Sequence, residues 1–331
     1  MANTKHGLQQ TTGTYQLKGV VTGVEKDNFY KEIKTRSGKD MRLVNFGVEV
    51  APNKTIYNSL NGMQKDEVFF SKRDKETKKT EIKKVKWNNR NTFNEEGFSL
   101  IGTRLGLEKD EEGKNIKKTL VEYDACKEIN DNMEDDQSVF IKGQIEFSSY
   151  DSDNGKKRNV KFIPQQISLC SKEIDFAEEG FEAESAFSQQ IVFMGIEKKD
   201  GRYVVSAKII TYSSIEDTEF IIKDDALAKL FKQRLKPYNA IQVHGHIVVE
   251  ESVEQVQDDD IWGEEDPTQK LNSPTRRELV ITGAKGKTLD TTTYSESIIN
   301  EAIKKLTQEQ QANDDWGSSS SSDEEETDED W

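Results

Sequence analysis

The chain has 331 residues, of which 33% are apolar and 33% charged, and its formal net charge is -15 at pH 7. This length accommodates two domains of ordinary size, and no run of about eighteen apolar residues is present to predict a membrane-spanning helix. The polar start of the sequence lacks the apolar core of a secretory signal peptide, so we expect a soluble protein of the cytoplasm.

The charge is unevenly distributed along the chain. Segments 173–187, 250–266 and 312–331 together contain 24 acidic residues and no basic residue. The remainder therefore carries a net charge of +9, with the acidic residues concentrated in a linker, a loop and a tail. This asymmetry predicts that the folded part binds a polyanion and that the acidic segments regulate access to it. The alternative is that the acidic segments serve solubility alone.

The first half of the sequence is predicted to be rich in β-strands. Apolar and polar residues alternate with period two over residues 15–24, 42–50, 67–70, 139–147 and 159–169. In the second of these strands Val44, Phe46, Val48 and Val50 share one face, which indicates a half-buried sheet. Helical spacing within residues 120–133 predicts a helix between the third strand and the fourth.

The second half is predicted to repeat this order. Residues 190–197 and 203–212 indicate a hairpin, followed by a strand at 219–222, a helix ending at Leu235, and strands at 240–249 and 278–284. The sequence Val-Phe-Ile-Lys-Gly-Gln-Ile at 139–145 aligns with Ile-Gln-Val-His-Gly-His-Ile at 241–247. Residues 20–26 likewise align with 192–198, where Gly23 and Gly195 are suited to the bulge that barrel closure needs.

Strand order and helix position together resemble the OB-fold, a five-stranded barrel that commonly binds oligonucleotides. The resemblance predicts a mainly β protein with two tandem OB-fold-like barrels, each with a helix between strands three and four; two unrelated small β-domains are the alternative. The predicted division is a flexible N-terminus (1–13), first barrel (14–172), acidic linker (173–187), second barrel (188–290), short helix (291–311) and disordered acidic tail (312–331).

The segment from residue 71 to residue 90 combines positive charge with an aromatic side chain. It contains nine basic and three acidic residues, and phenylalanines flank it on both sides. Proteins that bind single strands pair cations for the phosphates with flat rings on which bases stack. The candidate binding residues here are Lys72, Arg73, Lys83, Lys84, Lys86, Trp87 and Arg90. The alternative is a solvated charged hairpin in which Trp87 is buried.

Two loops of the first predicted barrel carry similar clusters. In an OB-fold these two loops flank the ligand cleft, so three basic and aromatic clusters would converge on one face. The loop between strands one and two contributes Lys26, Phe29, Tyr30, Lys31, Lys34, Arg36, Lys39 and Arg42. The loop between strands four and five contributes Tyr150, Lys156, Lys157 and Arg158. In the second barrel the last loop is the acidic segment 250–266, which suits protein contacts, or competition with DNA for the first barrel.

Signatures of an enzyme are weak, and no cofactor is predicted. The histidines are His6, His244 and His246, and the last two alternate on a strand without a metal-ligand pattern. Cys126 and Cys170 form no Cys-x-x-Cys pair, so we predict neither a zinc cluster nor a disulfide framework. Three successive acids at residues 258–260 are typical of a flexible acidic run, with a metal-dependent nuclease as the less favoured alternative.

The sequence ends in an acidic block followed by tryptophan. Residues 323–331 contain no basic residue and end in Asp328, Glu329, Asp330 and Trp331. Asp-Asp-Trp at 314–316 and Asp-Asp-Asp-Ile-Trp at 258–262 echo this ending. An indole beside a terminal carboxylate is suited to an apolar pocket with a basic rim, so these four residues are the candidate partner-binding site.

At the tail the chain resembles bacterial and bacteriophage single-stranded DNA-binding proteins, which join OB-folds to an acidic tail ending in an aromatic residue. It departs from them because those tails usually end in phenylalanine and those chains usually have one OB-fold. The resemblance implies a single-strand binder of bacteriophage replication or recombination. Our leading hypothesis is a non-enzymatic, sequence-tolerant single-stranded DNA-binding protein that recruits replication or repair proteins through its tail. An acidic inhibitor that mimics nucleic acid is the alternative, and stacking and phosphate contacts would serve DNA and RNA equally.

Overall fold

The computed structural model describes residues 4–152, 155–251 and 275–318. The fold is mainly β, with one large mixed sheet and a separate three-stranded sheet. The elements of the first half are β1 (Gly13–Thr22), β2 (Tyr30–Lys34), β3 (Asp40–Ala51), β4 (Lys54–Met63), β5 (Glu67–Arg73), β6 (Thr80–Lys86), β7 (Ser99–Leu100), β8 (Thr103–Lys109), β9 (Asn115–Leu120), α1 (Glu122–Asn132), β10 (Ser138–Ser152) and β11 (Gly155–Leu169). Those of the second half are β12 (Glu184–Lys199), β13 (Arg202–Ile210), β14 (Ile215–Ile222), α2 (Asp225–Arg234), β15 (Ala240–Glu251), β16 (Thr275–Ala284) and α3 (Glu296–Ser318).

Strand pairing in the first half forms a closed ring. β1 pairs with β3, β3 with β4, β4 with β11, β11 with β10, and β10 returns to β1. Every pair is antiparallel except β4 with β11. Strands β8 and β9 form a hairpin that continues from β11 outside this ring. We call this set of five strands the first ring.

The second half closes in the same order. β12 pairs with β13, β13 with β14, β14 with β16, β16 with β15, and β15 returns to β12. The single parallel pair, β14 with β16, is at the position equivalent to β4 with β11. In this second ring α2 lies between the third and fourth strands, as α1 does in the first. The predicted repeat of the strand order is therefore present in the pairings.

The two rings are joined because β1 and β12 pair with each other along their first halves. The strands β10, β1, β12 and β15 thus lie side by side in a continuous sheet. One hydrophobic cluster extends through both rings, and it includes Leu17 and Phe46 from the first and Phe220 and Phe231 from the second. The rings therefore share a core.

Glycines of the aligned repeats lie at equivalent bulges. The register of β10 with β11 shifts at Gly143, and the register of β15 with β16 shifts at Gly245. A side chain at Gly143 would place its Cβ 2.0 Å from the carbonyl oxygen of Ile163, so glycine is required by close backbone approach. Gly195 lies at a bulge in β12, as predicted, whereas Gly23 follows the end of β1 in a turn with positive φ.

The third strand of the first ring differs from the prediction. The predicted strand at residues 67–70 is real, but it belongs to the separate sheet of β5, β6 and β7. The ring is completed instead by β4, in which Asn58 and Gly62 interrupt the inward-facing apolar residues. A polar side chain and a glycine at inward positions concealed the alternating pattern of this strand.

The predicted boundaries also need correction at both ends. Residues predicted to form a flexible N-terminus are packed on the second ring, where Thr11 donates to the carbonyl oxygen of Ile210 and Leu8 is buried against Ile299 of α3. β12 begins at Glu184, inside the predicted linker. The predicted tail begins at residue 312, yet α3 continues to Ser318. The rest of the tail, residues 319–331, lies outside the described residues.

Candidate nucleic-acid interface

The basic segment folds as the hairpin of β5 and β6. Its turn is stabilised by Asp74, whose carboxylate accepts hydrogen bonds from the backbone N–H groups of Thr77 and Glu76 at 2.6 and 2.9 Å. These bonds hold the pKa of Asp74 below its usual range. Lys78 adopts positive φ in the same turn. The hydrogen bonds of this turn therefore fix the register of β5 against β6. That register determines which side chains of the two strands lie on each face of the sheet.

One face of this sheet, which we call the inner face, packs on α1. Val68 and Phe70 of β5 and Val85 of β6 are buried in a cluster with Val121 and Tyr123. Trp87, Phe93 and Phe98 are half-buried at the margin of this cluster. The indole of Trp87 meets the ring of Tyr123 edge to face, with 5.8 Å between the centroids. Trp87 is thus half-buried, whereas the alternative interpretation had it buried in a solvated charged hairpin, and its role in base stacking stays a prediction.

The opposite face is solvent-exposed and partly apolar. Phe69 is 41% exposed on β5 and Ile82 is 61% exposed on β6. The N–H of Ile101, itself 48% exposed, donates to the carbonyl oxygen of Phe69. Because side chains alternate along a strand and paired residues share a side, the register places three basic residues with Phe69 and Ile82. These are Arg73, Lys84 and Lys86. We call these six residues the outer face.

The outer face combines cations with an exposed aromatic ring. The ammonium of Lys84 lies 5.8 Å from the centroid of Phe69 and 3.4 Å from the carboxylate of Glu67. The side chain of Lys84 is 65% exposed, so this ion pair is weak and screened by water. Lys84 is therefore available to an anionic ligand beside a ring that can stack.

The remaining predicted lysines of this segment are engaged on the inner face. Lys72 donates to the carbonyl oxygen of Glu96 at 3.1 Å and lies 5.7 Å from the centroid of Phe98. Lys83 pairs with Glu95 and lies 5.4 Å from the centroid of Phe93. These two lysines therefore lie over the rings of Phe98 and Phe93 on the inner face. The basic residues of the hairpin are thus divided between the inner face, where they pack on other side chains, and the outer face, where they are exposed.

Two predicted arginines form a stacked connection between the first ring and the small sheet. Arg90 makes a bidentate ion pair with Asp124 of α1, with N–O distances of 2.7 and 3.0 Å, and its guanidinium lies 4.2 Å from the centroid of Trp87. The guanidinium of Arg42 lies 3.9 Å from the centroid of Tyr123. Both arginine side chains are less than one-fifth exposed. Their geometry fits a structural role rather than the predicted contact with a ligand.

The predicted loop between the first two ring strands is largely the hairpin of β2 and β3. Phe29 is only 4% exposed and belongs to the core, so it is not a stacking platform. Tyr30 donates to Glu32, and burial together with this hydrogen bond raises its pKa. Lys34 pairs with Asp40 at 2.6 Å. The exposed cations of this cluster are Lys26, Lys31, Lys34 and Arg36.

The first two predicted clusters meet at the base of the small sheet. Lys39 lies 3.3 Å from the carboxylate of Asp66, which follows β4, and the carbonyl oxygen of Asp66 accepts from the N–H of Trp87. The third cluster is directed elsewhere. Tyr150 pairs with Lys157 across β10 and β11 and is 55% exposed, while Arg158 makes a 3.0 Å ion pair with Glu219 of the second ring. The side chain of Lys156 lies outside the described residues.

Several other predicted features lie where the structure gives no description. Asp328, Glu329, Asp330 and Trp331 are outside the described residues, as are the acids at 258–260 and the tryptophan at 262. Among the residues of known placement, no group of three His, Cys, Asp or Glu side chains is arranged to hold a metal ion. No helix within the described ranges is long and apolar enough to cross a membrane.

Two closed rings of five strands and an attached sheet with a basic, partly apolar face define a mainly β protein with a candidate interface for a polyanion. The chain belongs to the YorF family, because residues 72–319 match the model of that family. No curated protein matches the chain in sequence.

Two similar solved structures come from one bacterium. Wild-type single-stranded DNA binding protein from Thermus aquaticus is 12% identical, with a TM-score of 0.40, and the match covers 87% of this chain and 97% of that one. A deletion mutant of the Thermus aquaticus protein is 11% identical, with a TM-score of 0.40, and the match covers 83% of this chain and 94% of that one.

The apolar members of the outer face are not among the residues predicted to bind nucleic acid. Phe69 flanks the basic segment in sequence, and Ile82 and Ile101 carry no predicted role. A signal was present, because Val68 and Phe70 alternate with Phe69 and a two-stranded hairpin must expose one of its faces. Which face is exposed depends on the packing of α1, which the local pattern does not contain.

Proposed function

We propose that this protein binds single-stranded DNA, without strong sequence preference, through the outer face of the three-stranded sheet. The observation that carries this proposal is the exposed ring of Phe69 beside Lys84, on one face with Ile82, Arg73 and Lys86. Exposed bases offer aromatic and apolar surfaces for stacking, and the phosphates between them require cations at the same spacing. A flat sheet face presents both without demanding a particular base.

The magnitudes favour a strand held by several weak contacts. Each base stacked on an aromatic ring contributes about 1 to 3 kcal/mol, and each neutralised phosphate contributes about -0.7 to the log-log salt slope of a single strand. Three cations on the outer face would therefore give a slope near -2, and the exposed lysines of the β2 and β3 hairpin would make it steeper.

We further propose that each ring is an OB-fold barrel. The cyclic order in which strands one, two, three, five and four pair is that of the OB-fold, and α1 and α2 lie between strands three and four. The protein would then be a non-enzymatic component of DNA replication, recombination or repair in the cytoplasm, in a bacterial or bacteriophage setting. The acidic sequence ending in Trp331 would recruit protein partners.

The test is binding of a fluorescently labelled poly-dT oligonucleotide to the full chain, measured by anisotropy at two salt concentrations. We expect tight binding at low salt, about 5- to 150-fold weaker binding by Phe69→Ala, and a shallower salt slope for Lys84→Gln. Tyr212→Ala, at a tyrosine 51% exposed on the second ring, and Lys114→Gln, in the turn between β8 and β9, are the matched controls.

Absence of binding at low salt would overturn the proposal and favour an acidic protein that mimics nucleic acid. Binding by Phe69→Ala equal to that of the wild type would remove the outer face as the site.

A further inference from the structure

An exposed tyrosine on β4 marks a region that the predicted site does not include. Tyr57 on β4 is 54% exposed and points away from the core of the first ring. Its partner across the strand pair is Gly47, so no side chain from β3 stands directly beside its ring. An aromatic ring left uncovered in this way can stack on a planar ligand.

A cleft of about 320 Å³ lies between the two rings. Arg158, Val160 and Phe162 of β11 line one side, and Ile247, Arg277 and Leu279 of the second ring line the other. β4, the strand that carries Tyr57, contacts β15 of the second ring, so the tyrosine lies on a strand that reaches the boundary between the rings where this cleft is found. We call this space the inter-ring cleft.

The charged side chains that line the cleft differ in whether they form ion pairs. Arg158 is bound to Glu219 at 3.0 Å, and the buried carboxylate of Glu278 accepts from Arg202 at 2.6 Å. Arg277 makes no ion pair with any side chain that the structure describes. Arg277 is exposed as a residue, yet burial of its guanidinium lowers the pKa of that group. The nearby Tyr57 hydroxyl raises the same pKa by a smaller amount. Arg277 is therefore a partly desolvated cation close to an uncovered ring.

The outward side of β4 connects the cleft to the small sheet. Tyr57, Ser59, Asn61 and Met63 alternate along it, and Met63 ends the strand just before β5 begins. At about 3.4 Å per residue this row is roughly 20 Å long. It carries no acidic side chain, so a phosphate backbone would meet no like charge from the strand itself.

We propose that the inter-ring cleft is a second contact point for the same single strand, with Arg277 binding a phosphate and Tyr57 stacking a neighbouring base. This inference rests on the proposed function and extends it, because the second ring then contributes to binding. The ligand class is a single-stranded polynucleotide that runs from the outer face along β4. On sequence grounds, the acidic loop 250–266 of the second barrel favoured protein contacts, or competition with DNA for the first barrel, instead.

The experiment compares Tyr57→Ala and Arg277→Gln with the wild type on the labelled poly-dT oligonucleotide. We expect Tyr57→Ala to weaken binding about 5- to 150-fold and Arg277→Gln to reduce the salt slope by about 0.7. Arg277→Lys should keep the wild-type slope because it keeps the charge. Matched controls are Tyr212→Ala and Arg104→Gln, both at exposed positions away from the cleft. Thermal unfolding of each variant confirms that it folds.

The outcomes separate the two proposals. If the wild type binds and Phe69→Ala binds weakly, but Tyr57→Ala and Arg277→Gln both match their controls, the inter-ring cleft is not a site and the outer face stands. If the wild type does not bind poly-dT at low salt, both proposals are overturned.

Discussion

Tyr15 and Phe187 are directly paired across β1 and β12, at the junction of the two rings. Each is also paired with a glycine on its other side, Tyr15 with Gly143 and Phe187 with Gly245. The four residues form one row across four strands, with an approximate twofold relation between its halves. The aligned glycines of the two repeats are thus paired with equivalent aromatic residues, and in the first ring the Tyr15 ring lies 2.7 Å from the position that a Cβ on Gly143 would take.

Replacing Gly143 with alanine should be strongly destabilising. The added Cβ would lie 2.0 Å from the carbonyl oxygen of Ile163 and 2.7 Å from the ring of Tyr15. Backbone cannot move aside cheaply, so we expect a loss of about 3 kcal/mol or more in the free energy of unfolding, measured in urea. Gly195→Ala is the control, since its Cβ would meet no atom within 4 Å. Equal stability of the two variants would contradict this account.

Removing the hydroxyl of Tyr15 should destabilise the first ring. This buried hydroxyl donates to the side-chain oxygen of Asn58 at 2.7 Å, and Asn58 is 1% exposed. Tyr15→Phe leaves that oxygen without its donor, which costs about 1 to 3 kcal/mol in unfolding free energy. The same change at exposed Tyr212 should alter stability by less than about 0.5 kcal/mol. If both variants unfold at the same urea concentration, the hydrogen bond contributes nothing.

Substitutions of Arg90 and Lys84 should have different effects, because Arg90 stabilises the fold and Lys84 is proposed to bind DNA. Arg90→Gln breaks the bidentate pair with Asp124, so we expect about 2 to 3 kcal/mol lower stability with an unchanged salt slope of DNA binding. Lys84→Gln should leave stability within about 0.5 kcal/mol and reduce the slope by about 0.7. Urea unfolding and anisotropy on the same samples give both values. If Arg90→Gln reduced the salt slope of DNA binding, Arg90 would have to be counted among the DNA-binding residues.

The thiol of Cys126 should be inert in the native protein. It is fully buried, and burial raises its pKa to about 12, so roughly one molecule in 10⁴ has a thiolate there at pH 8. Cys170 is half-buried, and burial raises its pKa as well. Alkylation followed by peptide mass spectrometry should label Cys170 slowly and Cys126 only after denaturation. Native labelling of Cys126 at the rate of Cys170 would show that the core opens readily.

Asp290 should make stability depend on pH in the acidic range. Hydrogen bonds from Thr293 and Thr292 lower its pKa to about 2. Its charged form is therefore favoured in the folded state, and this stabilisation is complete above pH 4 and lost as the pH falls to about 2. Asp290→Asn should be less stable than the wild type at pH 7, and the gap should close between pH 4 and pH 2. A gap of constant size would contradict the assignment.

The sequence by itself determined most of the strands and the repeat. Period-two alternation in β3 and β10 follows from the pleat of each strand, which requires no knowledge of its partners. The glycine of the shared Gly-x-Ile frame was visible for the same local reason. The division of charge between a basic body and acidic segments was likewise a property of the chain alone.

Only the tertiary structure decided which strands close each ring and which side chains are presented. β4 was missed because its inward positions hold Asn58, which is satisfied by Tyr15, and Gly62, on which the backbone of α1 packs too closely for a Cβ. Phe29 and Phe69 are both phenylalanines beside lysines, yet one is 4% exposed and the other 41%. The two side chains differ in exposure because burial depends on which segments, distant in sequence, pack against them. A local sequence pattern does not contain that information.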